Sequence, residues 1–314
     1  MLSDLGLHHP SPQNLPFGVV APQQAQAQTI AGLSTLPGEP LSLRLLPDDA
    51  AAQAQVRNRN LVGALVVNAG STKDTLYVAS AAGPSASAAT TKIIQSADGT
   101  QGRTVAVRDL VPVSPQDTGG LASFYLAVGW TVTGYLIASM LGVSAGTRPA
   151  TATRALIRLL ALALSALAAG LGGAWLAQHV LGALPGPYWP LVLTGSLLVY
   201  GAGALTMAME IAFGIAGIGL AVLLFVILGN PAAGGAYSRS LIPPFWRSIG
   251  AFLPPGAGTD AARSAAYFGG ADTAAPLWIL GAYGVVGTVA ALAGAAWLRA
   301  GRRDRPERSP GRAA

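Results

Sequence analysis

No aspartate, glutamate, lysine or arginine occurs between Arg158 and Glu210, and this charge-free stretch constrains the fold more than any other feature of the sequence. A helix needs about 20 consecutive apolar residues to cross the hydrocarbon core of a bilayer. Only 10% of the 314 residues are charged, whereas soluble domains average about 25%. The sequence therefore predicts an α-helical polytopic membrane protein.

Five apolar segments are long enough to span a bilayer. They cover residues 121–143, 155–184, 188–209, 211–229 and 276–298. The fourth is close to the lower length limit of about 17 residues. Because only Glu210 and its neighbours separate the third segment from the fourth, these two are expected to form a tight helical hairpin. We therefore expect a transmembrane domain of five helices at residues 121–298.

Arginines near the ends of the spans predict the orientation, because Lys and Arg resist translocation. Three lie between the first two spans and six follow the fifth. They are Arg148, Arg154, Arg158, Arg299, Arg302, Arg303, Arg305, Arg308 and Arg312. This places the protein in the plasma membrane with residues 1–120 extracytoplasmic, a re-entrant outer loop at 230–275 and a basic cytoplasmic tail at 299–314. The alternative, a cytoplasmic N-terminal domain, would put the six tail arginines outside.

An extracytoplasmic domain needs an export signal. The N-terminal sequence MLSDLGLHHPSPQNLPFGVV has no basic start followed by an apolar core, which in signal peptides is about 7 to 15 residues long. We therefore expect that an N-terminal span is missing from this chain, and that a full-length relative has six spans.

Residues 1–120 are expected to form an α/β domain. The predicted strands are short β-rich segments bounded by Gly, Pro, Asn or Asp. They are residues 16–21, 41–46, 61–68, 75–81 and 104–113. Residues 23–33 and 48–58 have helix-forming composition, and the stretch 83–91 is either a loop or a weak helix start. The β-α-β-α-β order predicts a small sheet with helices packed on it.

The composition excludes several classes of activity. The chain has no cysteine, so thiolate metal sites and cysteine nucleophiles are ruled out. His8 and His9 lack the surrounding ligand spacing of a metal site, and His179 lies near the outer end of the second span. The net charge of +6 comes mostly from the tail and not from a nucleic-acid-binding stripe. No GxxxxGK[ST] loop occurs, so the sequence predicts no enzymatic activity, cofactor, metal or nucleic-acid partner.

Glu210 is the only acid within the predicted spans. A buried carboxylate at membrane depth is costly, which indicates a docking or gating role. Its position at the turn between the third and fourth spans equally fits a solvated turn residue. Both interpretations stay open at this point.

Glycines recur at helix-packing spacings in the last three spans. They are Gly195, Gly201, Gly203, Gly214, Gly217, Gly219, Gly281, Gly284 and Gly287. Small side chains let helix backbones approach closely in lipid. The spacing favours tight packing, within one bundle or in a homodimer, over a ligand site.

The loop 230–275 contains the segment PPFWRSIGAFLPPG. Pro244 can begin a short helix, which Pro254 and Pro255 would end. Its apolar face at helical spacing consists of Phe245, Trp246, Ile249, Phe252 and Leu253. A second short helix is predicted from Thr259 to the glycines at 269 and 270. Neither piece can span, so the pair is expected to dip into the outer leaflet, unless it is an ordinary amphipathic surface loop.

These features together resemble a known family. The outer α/β domain begins near LPFGVV and contains a GALVVN strand, and the last loop carries PPFWRSIGAFLPPGAGTDAARSAAYFGG. The chain in this respect resembles the YhgE/Pip-like (phage infection protein) membrane proteins, which are similar to the membrane domains of type-2 ABC exporters. Members of that family have a span before the outer domain, which agrees with the expectation that such a span is missing from this chain.

The resemblance implies a permease component that moves a hydrophobic or lipid-like substrate out of the cell with a separate nucleotide-binding ATPase. The half-helices of the outer loop would then close an extracellular gate, with Phe245, Trp246, Arg247 and Phe252 as substrate or gate candidates. Glu210, Arg154 and Arg158 would be the candidates for cytoplasmic coupling. The alternative is a non-transporting membrane scaffold or surface receptor that acts through its outer domain.

Overall fold

The computed structural model describes residues 12–149, 151–235 and 237–303, with side chains to residue 300. An α/β unit comes first, and a mostly helical bundle follows it. His8, His9, Arg305, Arg308 and Arg312 lie outside the described residues.

The α/β unit contains a five-stranded sheet in the order β2-β1-β3-β4-β5. Its strands are β1 Leu15–Val20, β2 Leu41–Leu45, β3 Gly63–Val66, β4 Lys73–Val78 and β5 Thr104–Asp109. The β3–β4 pair is antiparallel and the other neighbours are parallel. All five strands occur where the sequence predicts them. Four of them combine β-branched or aromatic residues with flanking turn residues, whereas β2, with the sequence LSLRL, alternates leucine with polar residues.

Three helices cover the two faces of the sheet. They are α1 Gln23–Ser34, α2 Asp49–Arg57 and α3 Pro84–Thr100. Leu33 of α1 and Ile94 of α3 share one core cluster with Leu65, whereas α2 packs in a second cluster with Ala64. Adjacent residues of β3 thus serve opposite faces, as the two-residue period of a strand requires. The stretch 83–91, open between loop and helix, is the first part of α3.

Among the described residues, four helices of the bundle have the length and apolar composition that a membrane crossing requires. They are α4 Ala122–Ala145, α5 Ala152–Trp175, α6 Tyr188–Phe213 and α10 Ala274–Arg303. A π-helical turn, Leu176–Val180, extends α5. The fourth predicted span, 211–229, is a shorter apolar helix, α7 Ala216–Ala232.

α6 is the central helix of the bundle. In the most apolar 18-residue stretch of α6, 67% of the residues are buried, against 39% in the corresponding stretch of α4 and 33% in that of α5. α6 ends at Phe213, and Gly214 reverses the chain with a φ of 65°. A Cβ on Gly217 would lie 2.4 Å from the Met209 carbonyl carbon, so α7 returns against α6 at backbone contact. This is the predicted hairpin.

The loop after α7 contains two short helices, α8 Pro244–Gly250 and α9 Pro254–Tyr267. The first begins at Pro244 as predicted. The second begins at Pro254 and not at Thr259. Pro254 and Pro255 were expected to end the first helix, but proline is also favoured at the first position of a helix, and here the two prolines begin α9. Twelve of the 14 residues of α9 are buried, and Gly258 packs on Ala127 of α4 and Leu198 of α6.

The α/β unit contacts one end of the bundle, which we call the domain end. There α4, α6 and α10 begin, and Ser114 donates a hydrogen bond to the Gly182 carbonyl in the α5–α6 loop. Arg59, which follows α2, donates to Ser264 of α9. At the opposite or far end, α4 and α6 end and α5 begins.

Candidate functional site: a groove at the domain end of the bundle

A groove of about 910 Å³ lies between α4 and α5. Its walls are mainly apolar and its mouth includes the exposed side chains of Tyr125, Leu176 and Leu181. Gly129 lines it without a side chain, and a Cβ there would meet no atom within 4 Å. Pockets for small molecules commonly measure about 300 to 1,000 Å³, so this groove can accept a ligand with a substantial apolar part.

Trp130 forms the floor of the groove. Its side chain is only 3% exposed, and its indole N–H donates a 3.0 Å hydrogen bond to the Ala169 carbonyl of α5. A Cβ on Gly173 or on Gly195 would come within 2.5 Å of indole atoms. The two glycines thus make the space that the indole fills between α4, α5 and α6.

Asp117 forms part of the polar rim. Its Oδ1 atom accepts hydrogen bonds from the amides of Leu121 at 2.9 Å and Ala122 at 3.0 Å. This places a carboxylate on the positive end of the α4 dipole. Its Oδ2 atom accepts from the Tyr267 hydroxyl of α9 at 3.3 Å. Asp117 therefore joins the start of α4 to the end of α9, while the neighbouring Gln116 and Thr118 are exposed at the groove.

A second cavity, of about 450 Å³, lies in the α/β unit between α1 and α3. Asp74 accepts hydrogen bonds from Arg103 Nε at 2.6 Å and Nη2 at 2.5 Å. Asp98 lines the same cavity, is 5% exposed, and its Oδ2 atom has no hydrogen-bond partner among the described residues. Burial first, and then the nearby Asp74, raise the pKa of Asp98 to about 6.

Two arginines close helix ends at the far end of the bundle. Arg158 of α5 donates to the Gly146 carbonyl at 2.7 Å and to the Ala145 carbonyl, which end α4. Arg148 donates to the Ile211 and Ala212 carbonyls of α6, both at 3.3 Å. A guanidinium satisfies carbonyls that a helix C-terminus leaves free and complements the negative end of its dipole. Arg154, which with Arg158 and Glu210 makes up the predicted coupling residues, is exposed.

Glu210 lies in the last turn of α6 and is 1% exposed. Its carboxylate lies against Gly142, where a Cβ would come within 2.1 Å of Oε2. Oε1 has no hydrogen-bond partner among the described residues, and no described ion pair within 4.0 Å includes it. The interpretation of Glu210 as a solvated turn residue is therefore wrong, because the reversal occurs at Gly214, after the helix has carried Glu210 into the bundle.

The four gate candidates lie on α8 and the link to α9, away from the lining of the α4–α5 groove. Phe245 and Phe252 are 53% and 65% exposed. Trp246 is half-buried and packs edge-on against Phe245, with ring centroids 5.4 Å apart. Arg247 donates to the Ser240 and Ile242 carbonyls, which holds α8 on the preceding chain. The structure thus separates the predicted gate residues from the groove.

The residues that shape the groove were not among the predicted site residues. Trp130 is one apolar residue within a predicted span, and Asp117 lies in a polar stretch before it. A signal for Trp130 does exist, since Gly173 and Gly195 provide room for a large side chain from another helix. That signal cannot be interpreted until the packing partners of the three helices are known.

Comparison with known proteins gives no matching family model, no matching curated protein and no matching solved structure. The likeness to the YhgE/Pip-like proteins remains a prediction from the sequence pattern. The arguments for function below therefore depend on the geometry of this chain.

Proposed function

We propose that the protein is a membrane permease component that binds a hydrophobic or lipid-like substrate in the α4–α5 groove and moves it out of the cell with a separate ATPase. The observation that carries this proposal is the groove itself. It combines apolar walls open at the side of the bundle with a polar rim at Gln116–Thr118. An amphipathic molecule could place its chain on the walls and its polar group at the rim.

The proposal includes five membrane crossings. α7 has 17 residues and packs against α6, which is at the lower limit of about 17 residues for a span. With α7 as a fifth crossing, the domain end faces the outside and the far end the cytoplasm. Support comes from Arg148, Arg154 and Arg158 at the far end, since arginines near span ends stay cytoplasmic.

Groove binding is tested with a matched pair of glycine substitutions. Gly129→Leu fills the groove, and a Cβ at Gly129 meets no atom within 4 Å. Gly172→Leu adds the same side chain to an equally open, exposed position outside the groove lining. The full chain is placed in nanodiscs containing a phospholipid with a photoreactive acyl chain, and cross-links are mapped to α4 and α5 peptides.

We expect Gly129→Leu to lose most of the cross-linking in α4 and α5, and Gly172→Leu to keep it. Equal labelling of the wild-type chain and Gly129→Leu would show that the groove is not the binding site. Thermal unfolding of both variants in the same nanodiscs checks that each is folded.

Coupling to an ATPase is tested separately. Arg154 is exposed at the far end and its side chain makes no hydrogen bond among the described residues. Arg154→Glu should reduce co-purification of a nucleotide-hydrolysing subunit from the native membrane while leaving the chain folded. Wild-type protein that binds lipid in the groove but never recruits such a subunit would favour the non-transporting scaffold or receptor.

A further inference from the structure

Three arginines surround a small cavity where the α/β unit meets α9. The cavity measures about 250 Å³, and Arg59, Arg239 and Arg263 line it together with Asp260. Arg59 follows α2, Arg239 lies in a short 3-10 turn before α8, and the other two belong to α9. We call Arg59, Arg239 and Arg263 the junction arginines.

The positive charge of this cavity exceeds its negative charge. Asp260 pairs with Arg239 at 2.6 Å and with Arg59 at 3.8 Å. No described carboxylate lies within 4.0 Å of Arg263. Three guanidiniums face one carboxylate, which leaves a net charge of +2 on the lining.

Arg263 is the least compensated of the three. Its side chain is 4% exposed and its Nη1 atom donates one long hydrogen bond, 3.4 Å, to the Ala82 carbonyl. Its Nη2 atom is buried without a partner among the described residues, as is the Nε atom of Arg239. The other nearby carboxylate, Asp117, is already bonded to the α4 amides and to Tyr267. Buried charge without a partner is costly, and an anion bound in the cavity would satisfy these donors.

The first turn of α3 adds to the positive potential. Gly83, Ala86 and Ser87 line the cavity. The 17-residue helix α3 begins at Pro84, and its N-cap residue Gly83 supplies no side-chain cap. The hydroxyl of Ser238 accepts one long hydrogen bond, 3.3 Å, from the Ala86 amide. The start of a helix carries a partial positive charge and attracts anions. The helix end and the unpaired guanidinium atoms are independent features that favour the same kind of ligand.

We propose that the junction arginines bind a phosphate-class anion, either free phosphate or the phosphate of an anionic lipid headgroup. Arginine is suited to this ligand, because its planar N–H groups match two phosphate oxygens at once. A cavity of about 250 Å³ lies below the range of about 300 to 1,000 Å³ for whole small-molecule ligands. It therefore fits a headgroup phosphate and not an entire lipid. The site is independent of the transport proposed above.

Such an anion would hold the α/β unit on α9. Arg59 belongs to the unit, whereas Arg239 and Arg263 belong to the loop and α9, so one ligand would contact both parts. Its binding should therefore raise the unfolding temperature of the full chain.

The test uses the full chain in two settings. In detergent, the unfolding temperature is measured with sodium phosphate against sodium chloride at equal ionic strength. In nanodiscs, phosphatidylglycerol is compared with phosphatidylcholine, which carries the same phosphodiester with a compensating ammonium group, and bound lipid is counted by native mass spectrometry. Stabilisation by phosphate alone indicates a soluble anion, and selective retention of phosphatidylglycerol indicates a headgroup.

The variants separate a built site from general positive charge. Arg239→Gln and Arg263→Gln should each weaken anion binding by at least about tenfold, the effect of losing a charge-assisted hydrogen bond. Asp260→Asn should strengthen it, because it releases Arg59 and Arg239 from their carboxylate. Arg44→Gln, the same charge change at an exposed position on β2, should have no effect.

Two results would overturn the proposal. One is a wild-type chain that prefers neither phosphate over chloride nor phosphatidylglycerol over phosphatidylcholine. The other is equal loss of binding in Arg44→Gln and Arg239→Gln. If Arg263→Gln fails to fold, Arg239→Gln and Asp260→Asn decide the outcome, because they change binding in opposite directions.

Discussion

The two ends of the helix bundle both bury charged side chains, but they do so differently. At the far end, Arg148 and Arg158 donate to helix-terminal carbonyls, and Glu210 is enclosed against Gly142. At the domain end, Asp260 is shared by two arginines, and Arg263 faces a cavity with one guanidinium nitrogen unpaired. Glu210 Oε1 is also without a partner among the described residues, so the difference lies in the surrounding space. Glu210 is packed against Gly142, whereas the junction arginines line a cavity of about 250 Å³.

We therefore expect the far-end arginines to stabilise the fold and the junction arginines to serve the proposed anion. A guanidinium that caps carbonyls is satisfied within the chain, so removing it should cost stability. A surplus guanidinium beside two others repels them, so removing it should cost little unless an anion is bound. The following predictions test this contrast, from the largest expected effect to the smallest.

Arg158→Gln should lower the free energy of unfolding by about 3 to 5 kcal/mol, because it removes two hydrogen bonds from a charged donor to the carbonyls that end α4, each worth about 1.5 to 3 kcal/mol. Arg158 forms no ion pair with Glu210 within 4.0 Å, but its charge favours the Glu210 carboxylate from a longer distance. Denaturant titration of the full chain in mixed micelles measures the effect. The double variant Arg158→Gln, Glu210→Gln should recover part of the loss, whereas Arg154→Gln at an exposed position should change stability by less than about 0.5 kcal/mol.

The substitution Asp98→Asn tests the buried carboxylate of the α/β unit, for comparison with Glu210 in the bundle. The pKa of Asp98 is about 6 in the folded chain against an ordinary value of 3.8. The folded state therefore binds the proton more tightly, so this group stabilises the fold below about pH 4, and that contribution disappears as the pH rises through about 6. Neutral Asn should remove this pH dependence and stabilise the unit above pH 6 by up to about 3 kcal/mol.

Hydrogen exchange of α3 peptides at pH 4 and pH 7.5 measures the Asp98 effect. Glu39→Gln removes an exposed carboxylate without hydrogen bonds among the described residues, and it should leave the exchange unchanged. Equal pH dependence in the wild-type chain and in Asp98→Asn would contradict the assignment.

Gly142→Ala tests how tightly the far end is filled. The added methyl group would meet the Glu210 carboxylate, and overfilling a packed interior typically costs about 1 to 3 kcal/mol. Gly129→Ala at the groove meets no atom within 4 Å, and it should be neutral or stabilise α4 by up to about 1 kcal/mol through helix propensity. Both are measured by the same denaturant titration, and similar values for the two glycines would remove the contrast between the ends.

Arg263→Met should change stability by less than about 1 kcal/mol when phosphate and anionic lipid are absent, because it relieves repulsion with Arg59 and Arg239 while keeping an apolar chain of similar length. The variant should also lose the stabilisation that phosphate gives the wild-type chain. A loss as large as that of Arg158→Gln would show that both ends use their arginines in the same way.

Most of the α/β unit could be predicted from local sequence. Its strands are short runs of Val, Leu and Tyr between turn residues, which is a signal that does not depend on distant contacts. Helix α3 was harder to predict from the sequence, because its Ser, Thr and Gly residues have weak helix propensity. It forms because Ala86 and Ile94 pack on the sheet, a contribution that appears only after the chain has folded.

The sites at both ends could not be predicted in the same way. Arg59, Arg239 and Arg263 are separated by up to about two hundred residues, and no local pattern shows that they meet. Glu210 was identified as unusual, but its burial depends on where α6 stops. The turn at Gly214 comes one helical turn later than the sequence suggests, and that difference decides between a solvated and an enclosed carboxylate.

The indole of Trp130 lies between α4, α5 and α6 at the floor of the groove. The indole packs on Gly173 and Gly195 and donates a hydrogen bond to the Ala169 carbonyl. It therefore keeps α4 and α5 apart, and a ligand could enter between them without a movement of either helix. A molecule that entered from the side would reach the indole at the floor of the groove. The size of the Trp130 side chain would therefore limit how far an apolar chain could enter. If the groove binds an apolar chain as proposed, replacing Trp130 with a smaller residue should let longer chains enter.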